Sequence, residues 1–154
     1  ASSPTKAALS RTAGAEEVLT YADFAERARD LTGGSGVSVV YDGVGRDTFD
    51  GSLEALRVRG TLALFGGASG QVPPVDPQQL NAGGSLGLSR ASLAHFLATP
   101  EERAWRYHEL FSAVRSGALD VRIGARFPLA DAGLAHAALE GRRTTGKVLL
   151  DPGA

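Results

Sequence analysis

The stretch Val37–Val44, VSVVYDGV, constrains this chain more than any other part of it. Val37, Val39, Val40 and Val44 are β-branched and Tyr41 is aromatic, and glycines bound the run at Gly33-Gly34-Ser35-Gly36 and at Gly45. A short apolar run of this kind reads as a strand buried on both faces, the setting of a parallel sheet covered by helices. It ends in Asp42-Gly43-Val44-Gly45, so small residues stand at its carboxyl end. In an open parallel sheet that end is where ligands lie.

The flanking segments alternate between helical and extended patterns. Ser3 caps a first helix, Pro4 suits its first turn, and the helix runs through Lys6–Thr12 to Gly14. Glu17–Tyr21 reads as a short strand. Asp23 caps a helix with Phe24, Ala28 and Leu31 on its apolar stripe. After the central strand, Arg46-Asp47-Thr48 leads into a helix with Phe49, Leu53, Leu56 and Val58 inside, ended by Gly60. Thr61–Phe65 is a buried strand, followed by the loop Gly66–Gly70. Asp76–Leu80 is a turn or two of helix, and Ser85–Leu88 a strand weakened by its glycine. Ala91–Leu97 and Pro100–Ser116 are helices, the second closed by Gly117. Val121–Ile123 and Arg126–Phe127 are short extended pieces, Leu129–Glu140 a helix, and Lys147–Leu150 the last strand. Strands of this length alternating with helices imply right-handed crossovers and a doubly wound parallel sheet. By length, 154 residues make one domain.

Composition removes several classes of function. The net charge is −1 with both signs mixed along the chain, which predicts no nucleic-acid partner. No apolar run approaches the roughly 18 residues of a membrane span, and no secretory pattern opens the chain. The absence of cysteine excludes disulfides and thiolate metal sites. His95, His108 and His136 lie far apart and suggest no metal. Methionine is absent even at position 1, so a fragment is expected. No GxGxxG links a strand to a helix, and Gly67-Ala68-Ser69-Gly70-Gln71 is not a nucleophile elbow. Asp42 reads as a strand end, and Asp47 or Thr48 as a helix cap. Trp105, Tyr107 and Phe111 read as helix packing. Arg142-Arg143 reads as a solvated helix end, or with Lys147 as a phosphate neighbour.

The strand ends taken together offer Tyr21, Gly43-Val44-Gly45, Phe65-Gly66-Gly67-Ala68-Ser69 and Leu88-Ser89-Arg90. Glycine after a strand lets backbone approach a ligand closely. Ends of consecutive strands would line one crevice, with a planar ligand edge against Phe65 and the N–H groups of Gly66 and Gly67 facing its polar atoms. Ser2, Ser3 and Lys6 stand at a helix N-terminus, an anion site. No Asp or Glu precedes Lys6, and a basic neighbourhood there suits the 2′-phosphate of NADP. The alternative is plain helix capping by Ser3 beside a solvated lysine.

These residues resemble the cofactor half of zeta-crystallin-like NADPH:quinone oxidoreductases, in the zinc-independent branch of the medium-chain dehydrogenase/reductases. The resemblance is carried by Ala13-Gly14-Ala15 through Val18 and Tyr21, by Val39–Gly45, and by Leu64–Gly70. It continues in Leu80–Leu86, Phe127–Ala132 and Thr145–Leu150, in order along nearly the whole chain. It implies hydride transfer from NADPH to a quinone or another electrophilic alkene or carbonyl, without zinc. It also implies a partial Rossmann-like α/β sheet lacking its first strands and the catalytic domain. By position, Ser2, Ser3, Lys6 and Tyr21 resemble the 2′-phosphate and adenosine end. Gly43 and Val44 resemble the ribose to pyrophosphate wall. Phe65, Gly66, Gly67 and Ser69 resemble the nicotinamide end, with Ser89 and Arg90 nearby. No catalytic residue is assigned. Strand Ser85–Leu88 resembles the family's dimer strand, which implies a homodimer, and a cytoplasmic protein is expected. Gly87 and Ala91 depart from the family pattern, which usually has a bulkier residue and a proline there. In the usual strand order two absent strands lie between Glu17–Tyr21 and Val37–Asp42. The chain alone is therefore expected to be unable to catalyse. Two readings stay open beside this one: an enoyl reductase of the same superfamily, and a non-catalytic dinucleotide-binding or dimerisation remnant.

Overall fold

The computed structural model describes residues 3–153. The chain divides into two compact units, one ending at His95 and one beginning at Phe96.

The first unit is built on a parallel sheet. Strand β1 (Val37–Asp42), β2 (Leu56–Leu64) and β3 (Gly87–Ser89) stand in the order β1-β2-β3. Helices α1 (Pro4–Thr12), α2 (Phe24–Leu31), α3 (Phe49–Glu54) and α4 (Pro77–Ala82) complete it. The core is Phe49, Leu53, Leu56, Leu62, Leu64 and Leu86, with Val37, Val40, Leu80 and Leu88 packed against it. Burying each of the larger side chains contributes about 1.5–3 kcal/mol. Ser3 caps α1 by accepting the Lys6 N–H at 3.3 Å, and Asp76 caps α4 by accepting the Gln78 N–H at 2.9 Å.

Three expected boundaries move. Glu17–Thr20 is irregular and Tyr21 enters a turn, because no strand among the described residues offers this segment a ladder. The helix after Thr48 ends at Glu54, and Leu56 belongs to β2 instead. Leu56 is fully buried opposite Val37, whereas Val58 is 65% exposed. Between them the register jumps from Val37–Leu56 to Val39–Thr61. Arg59 takes up the extra length with a left-handed φ of 61° and donates its N–H to the Gly84 carbonyl at 2.8 Å. Ser85 is also left-handed, so β3 starts at Gly87 and not at Ser85.

The second unit begins at the end of α5 (Leu93–Phe96), shorter than the helix expected over Ala91–Leu97, and holds α6 (Pro100–Arg115). A full capping box starts α6: Thr99 accepts the Glu102 N–H, and Glu102 accepts the Thr99 N–H. Trp105, Tyr107 and Phe111 are exposed instead of packed in a core. The Arg106 guanidinium lies 4.8 Å from the Trp105 ring centre and 5.4 Å from that of Phe96. Strands β4 (Ile123–Pro128) and β5 (Lys147–Asp151) form a parallel pair, joined through a 3-10 turn (Leu129–Asp131) and α7 (Ala132–Glu140). The two extended pieces expected around Gly124 are thus one strand. Arg143 donates to the Ala137 carbonyl at 3.3 Å, which places its charge at the carboxyl end of α7.

Candidate functional site

The carboxyl ends of β1 and β2 meet in a seam of glycines. Phe65 and Gly66 donate their N–H groups to the Asp42 carbonyl at 2.9 and 3.3 Å. Ala68 donates to the Gly43 carbonyl, and Ser69 to the Val44 carbonyl at 2.8 Å. A Cβ on Gly66 would stand 2.4 Å from the Gly43 carbonyl oxygen, so only glycine fits there. Gly45 has a φ of 90° and packs on the backbone of Gly67 and Gly70. The exposed Phe65 ring lies over Gly43, where an added Cβ would come within 2.9 Å of it.

Asp42 organises the β1 side of the seam. It is only 4% exposed. One carboxylate oxygen accepts the N–H groups of Val44 and Gly45 at 2.7 and 3.0 Å. The other accepts the hydroxyls of Thr48 and Ser52 at 2.8 and 2.9 Å. Burial pushes its carboxyl pKa up; the hydrogen bonds from Gly45, Thr48, Ser52 and Val44 outweigh that and hold it below the ordinary value. Asp42 is thus more than a strand end, and Thr48 turns its hydroxyl to Asp42 instead of capping α3. The signal was in the spacing of Asp42, Thr48 and Ser52, which puts both hydroxyls on one side of the first turn of α3.

Two clefts open on either side of this seam. One, of about 320 Å³, is lined by Tyr21, Phe24, Tyr41, Asp42, Gly43 and Val44, among others. It separates the Leu19–Tyr21 segment from β1, the interval in which the resemblance puts two strands. The other, of about 640 Å³, is lined by Gly66, Gly67, Gly70, Gln71, Val72 and Arg90, among others. Tyr21, Gly43 and Val44 therefore come together in one cleft, and Gly66, Gly67 and Arg90 in the second, with the Phe65–Gly43 contact between them. Arg90 donates to the carbonyls of Leu64 and Ala91. Ser89 is exposed on β3. Ser3 and Lys6 lie at the start of α1 and line neither cleft, and Ser2 falls outside the described residues.

Two expected contacts change. The Gly66 N–H faces the Asp42 carbonyl and not a ligand, because the seam needs it. The Ser69 hydroxyl donates to the Val44 carbonyl at 2.8 Å and accepts the Asp47 N–H at 3.0 Å. It ties the two loops together.

A family model described as zinc-binding dehydrogenase matches residues 13–150. The chain belongs to this family. It is 44% identical to quinone oxidoreductase 1 of Escherichia coli over 96% of its own length and 46% of that protein's. It is 40% identical to a 2-haloacrylate reductase of a Burkholderia species, over 97% of this chain and 46% of the relative. The solved native structure of a mycobacterial protein complexed with NADPH matches with a TM-score of 0.92 and 59% identity, over 98% of this chain and 47% of that one. The chain thus spans about half the length of the relatives it matches, and it corresponds to their Rossmann-like cofactor domain. The family's description names zinc, and the residues here do not fit it. The chain has no cysteine, and no group of three or more His, Asp or Glu among the described residues could hold a metal ion. A dinucleotide fits better, since the clefts lie at the carboxyl ends of parallel strands, where an open sheet of this kind takes one.

Proposed function

We propose that this segment is part of an NADPH-dependent quinone oxidoreductase and supplies much of its cofactor site. The observation that carries this is the glycine seam at the carboxyl ends of parallel strands, on a segment 44% identical to a quinone oxidoreductase. Bound NADPH supplies the hydride. The segment belongs to one dinucleotide-binding domain of a longer protein, in which two further strands fill the deep part of the cleft between Tyr21 and β1. That leaves Tyr21, Gly43 and Val44 at the rim, against the adenosine and pyrophosphate. Phe65 covers the nicotinamide end, with Gly66, Gly67, Ser89 and Arg90 around it. Ser69 acts there by holding the loops. Ser2, Ser3 and Lys6, with Tyr21, take the 2′-phosphate at the start of α1. The reaction proceeds without zinc and the protein is cytoplasmic. No nucleic-acid or membrane partner is proposed; among the described residues no helix is long and apolar enough to cross a bilayer. Among the described residues the outer edge of β3 pairs with no strand, which suits a homodimer joined there.

The 40% identity to a 2-haloacrylate reductase favours a second reading, reduction of an electrophilic alkene. Turnover of quinones against haloacrylates and enoyl thioesters by the full-length protein decides between them. For the cofactor, Lys6→Glu is expected to lower the preference for NADPH over NADH by about tenfold or more, the size of a lost charge-assisted hydrogen bond. An unchanged ratio of specificity constants rejects the phosphate role.

A further inference from the structure

We propose that Asp42 is a positioning residue that fixes the cofactor-facing turn Gly43-Val44-Gly45 to α3. The inference rests on the reading of this cleft as a dinucleotide site. One carboxylate oxygen takes the N–H groups of Val44 and Gly45, and the other takes Thr48 and Ser52 on the α3 side. All four partners lie within ten residues of chain, yet they span a strand end, a turn and a helix. Thr48 and Ser52 are themselves buried, at 6% and 2% exposure, so water does not replace these bonds easily. The turn is held from its other side as well, since the Val44 carbonyl accepts both the N–H and the hydroxyl of Ser69. The Val44 backbone is thereby clamped on both sides, its N–H by Asp42 and its carbonyl by Ser69. With all four donors on its carboxylate, Asp42 makes no direct bond to the cofactor. It sets the wall the cofactor meets, and α3 sets Asp42.

The test uses the full-length protein containing this segment, with two readouts: NADPH affinity by fluorescence titration, and amide hydrogen exchange at Val44 and Gly45. Asp42→Ala is expected to raise exchange at both amides at least tenfold and the NADPH Kd at least fivefold. Asp42→Asn keeps an acceptor for the turn, and the two hydroxyls reorient toward its amide, so it should restore both to within about twofold of wild type. Ser52→Ala leaves the turn bonds in place and loosens the far oxygen, whereas Thr48 also reaches the Gly45 carbonyl at 3.3 Å. Ser52→Ala should raise Kd about twofold to threefold, and it carries the test if Asp42→Ala does not fold. Faster exchange in Asp42→Ala with unchanged Kd makes the residue merely structural and overturns the proposal. Unchanged Kd in Ser52→Ala overturns it too. Failure of the wild type to bind NADPH sinks the functional reading itself, and the proposal with it.

Discussion

At Gly66 a single methyl group decides the fit of two loops. The Gly43 carbonyl oxygen, 2.4 Å from where a Cβ would stand, is backbone and has no rotamer to yield. Gly66→Ala should therefore cost about 1–3 kcal/mol, the range of overpacked interiors, read as a lower urea midpoint. Asp42 gives a pH signature. Its folded pKa lies below the ordinary 3.8, so its stabilising bonds are fully present above that value and fade as pH falls through the folded pKa. Asp42→Asn does not titrate. Melting temperatures of wild type and Asp42→Asn should thus converge as pH is lowered from about 5 to about 2; a constant gap would refute the assignment. Of the site, the glycines at the strand ends were legible, because close backbone approach leaves a mark in residue type. The role of Ser69 was not, and that of Asp42 only through the spacing of Thr48 and Ser52. Their meaning depends on which carbonyls and amides the fold brings beside them, and Ser69 finds Val44 across 25 residues of chain.

Among the elements, α2 is tied to its neighbours by one polar side chain, beside the Phe24 ring that packs on Gly51. The Arg29 guanidinium donates to the carbonyls of Glu54 at 2.7 Å, Gly34 at 3.0 Å and Leu56 at 3.0 Å. It joins α2 to the end of α3 and the start of β2. Arg29→Met keeps most of the aliphatic stem and removes the three bonds, for an expected loss of about 1–3 kcal/mol in chemical denaturation. The parallel strands β1 and β2 were legible from their β-branched runs, and α6 from Thr99-Pro100 and Glu102 at capping spacing. The error at Leu56 and Val58 has a plain cause. Both fit a helical stripe, but the bulge between Leu56 and Thr61, which contains the left-handed Arg59, leaves Leu56 inside and Val58 outside within a strand. The segment Glu17–Tyr21 has strand composition but joins neither sheet among the described residues, and a ladder needs two chains of backbone.

For the whole molecule the free side of β1 matters most. Among the described residues β1 pairs only with β2, and Val39 and Tyr41, on one face, are 43% and 76% exposed. An open apolar edge invites pairing with another chain. The 154-residue chain by itself should elute from a sizing column earlier, at a smaller volume, than one copy's mass predicts, and Val39→Lys with Tyr41→Lys should shift it toward a single copy. Elution as a monomer at all concentrations would show the edge to be protected. The Trp105–Arg106–Phe96 stack has an optical consequence. Trp105 is the only tryptophan, and it lies in the unit that begins at Phe96. Indole emission therefore follows that unit alone, whereas circular dichroism averages over every helix and strand. Superimposable melting curves from the two probes would mean that both halves come apart in a single step, and separated ones that each keeps its own transition.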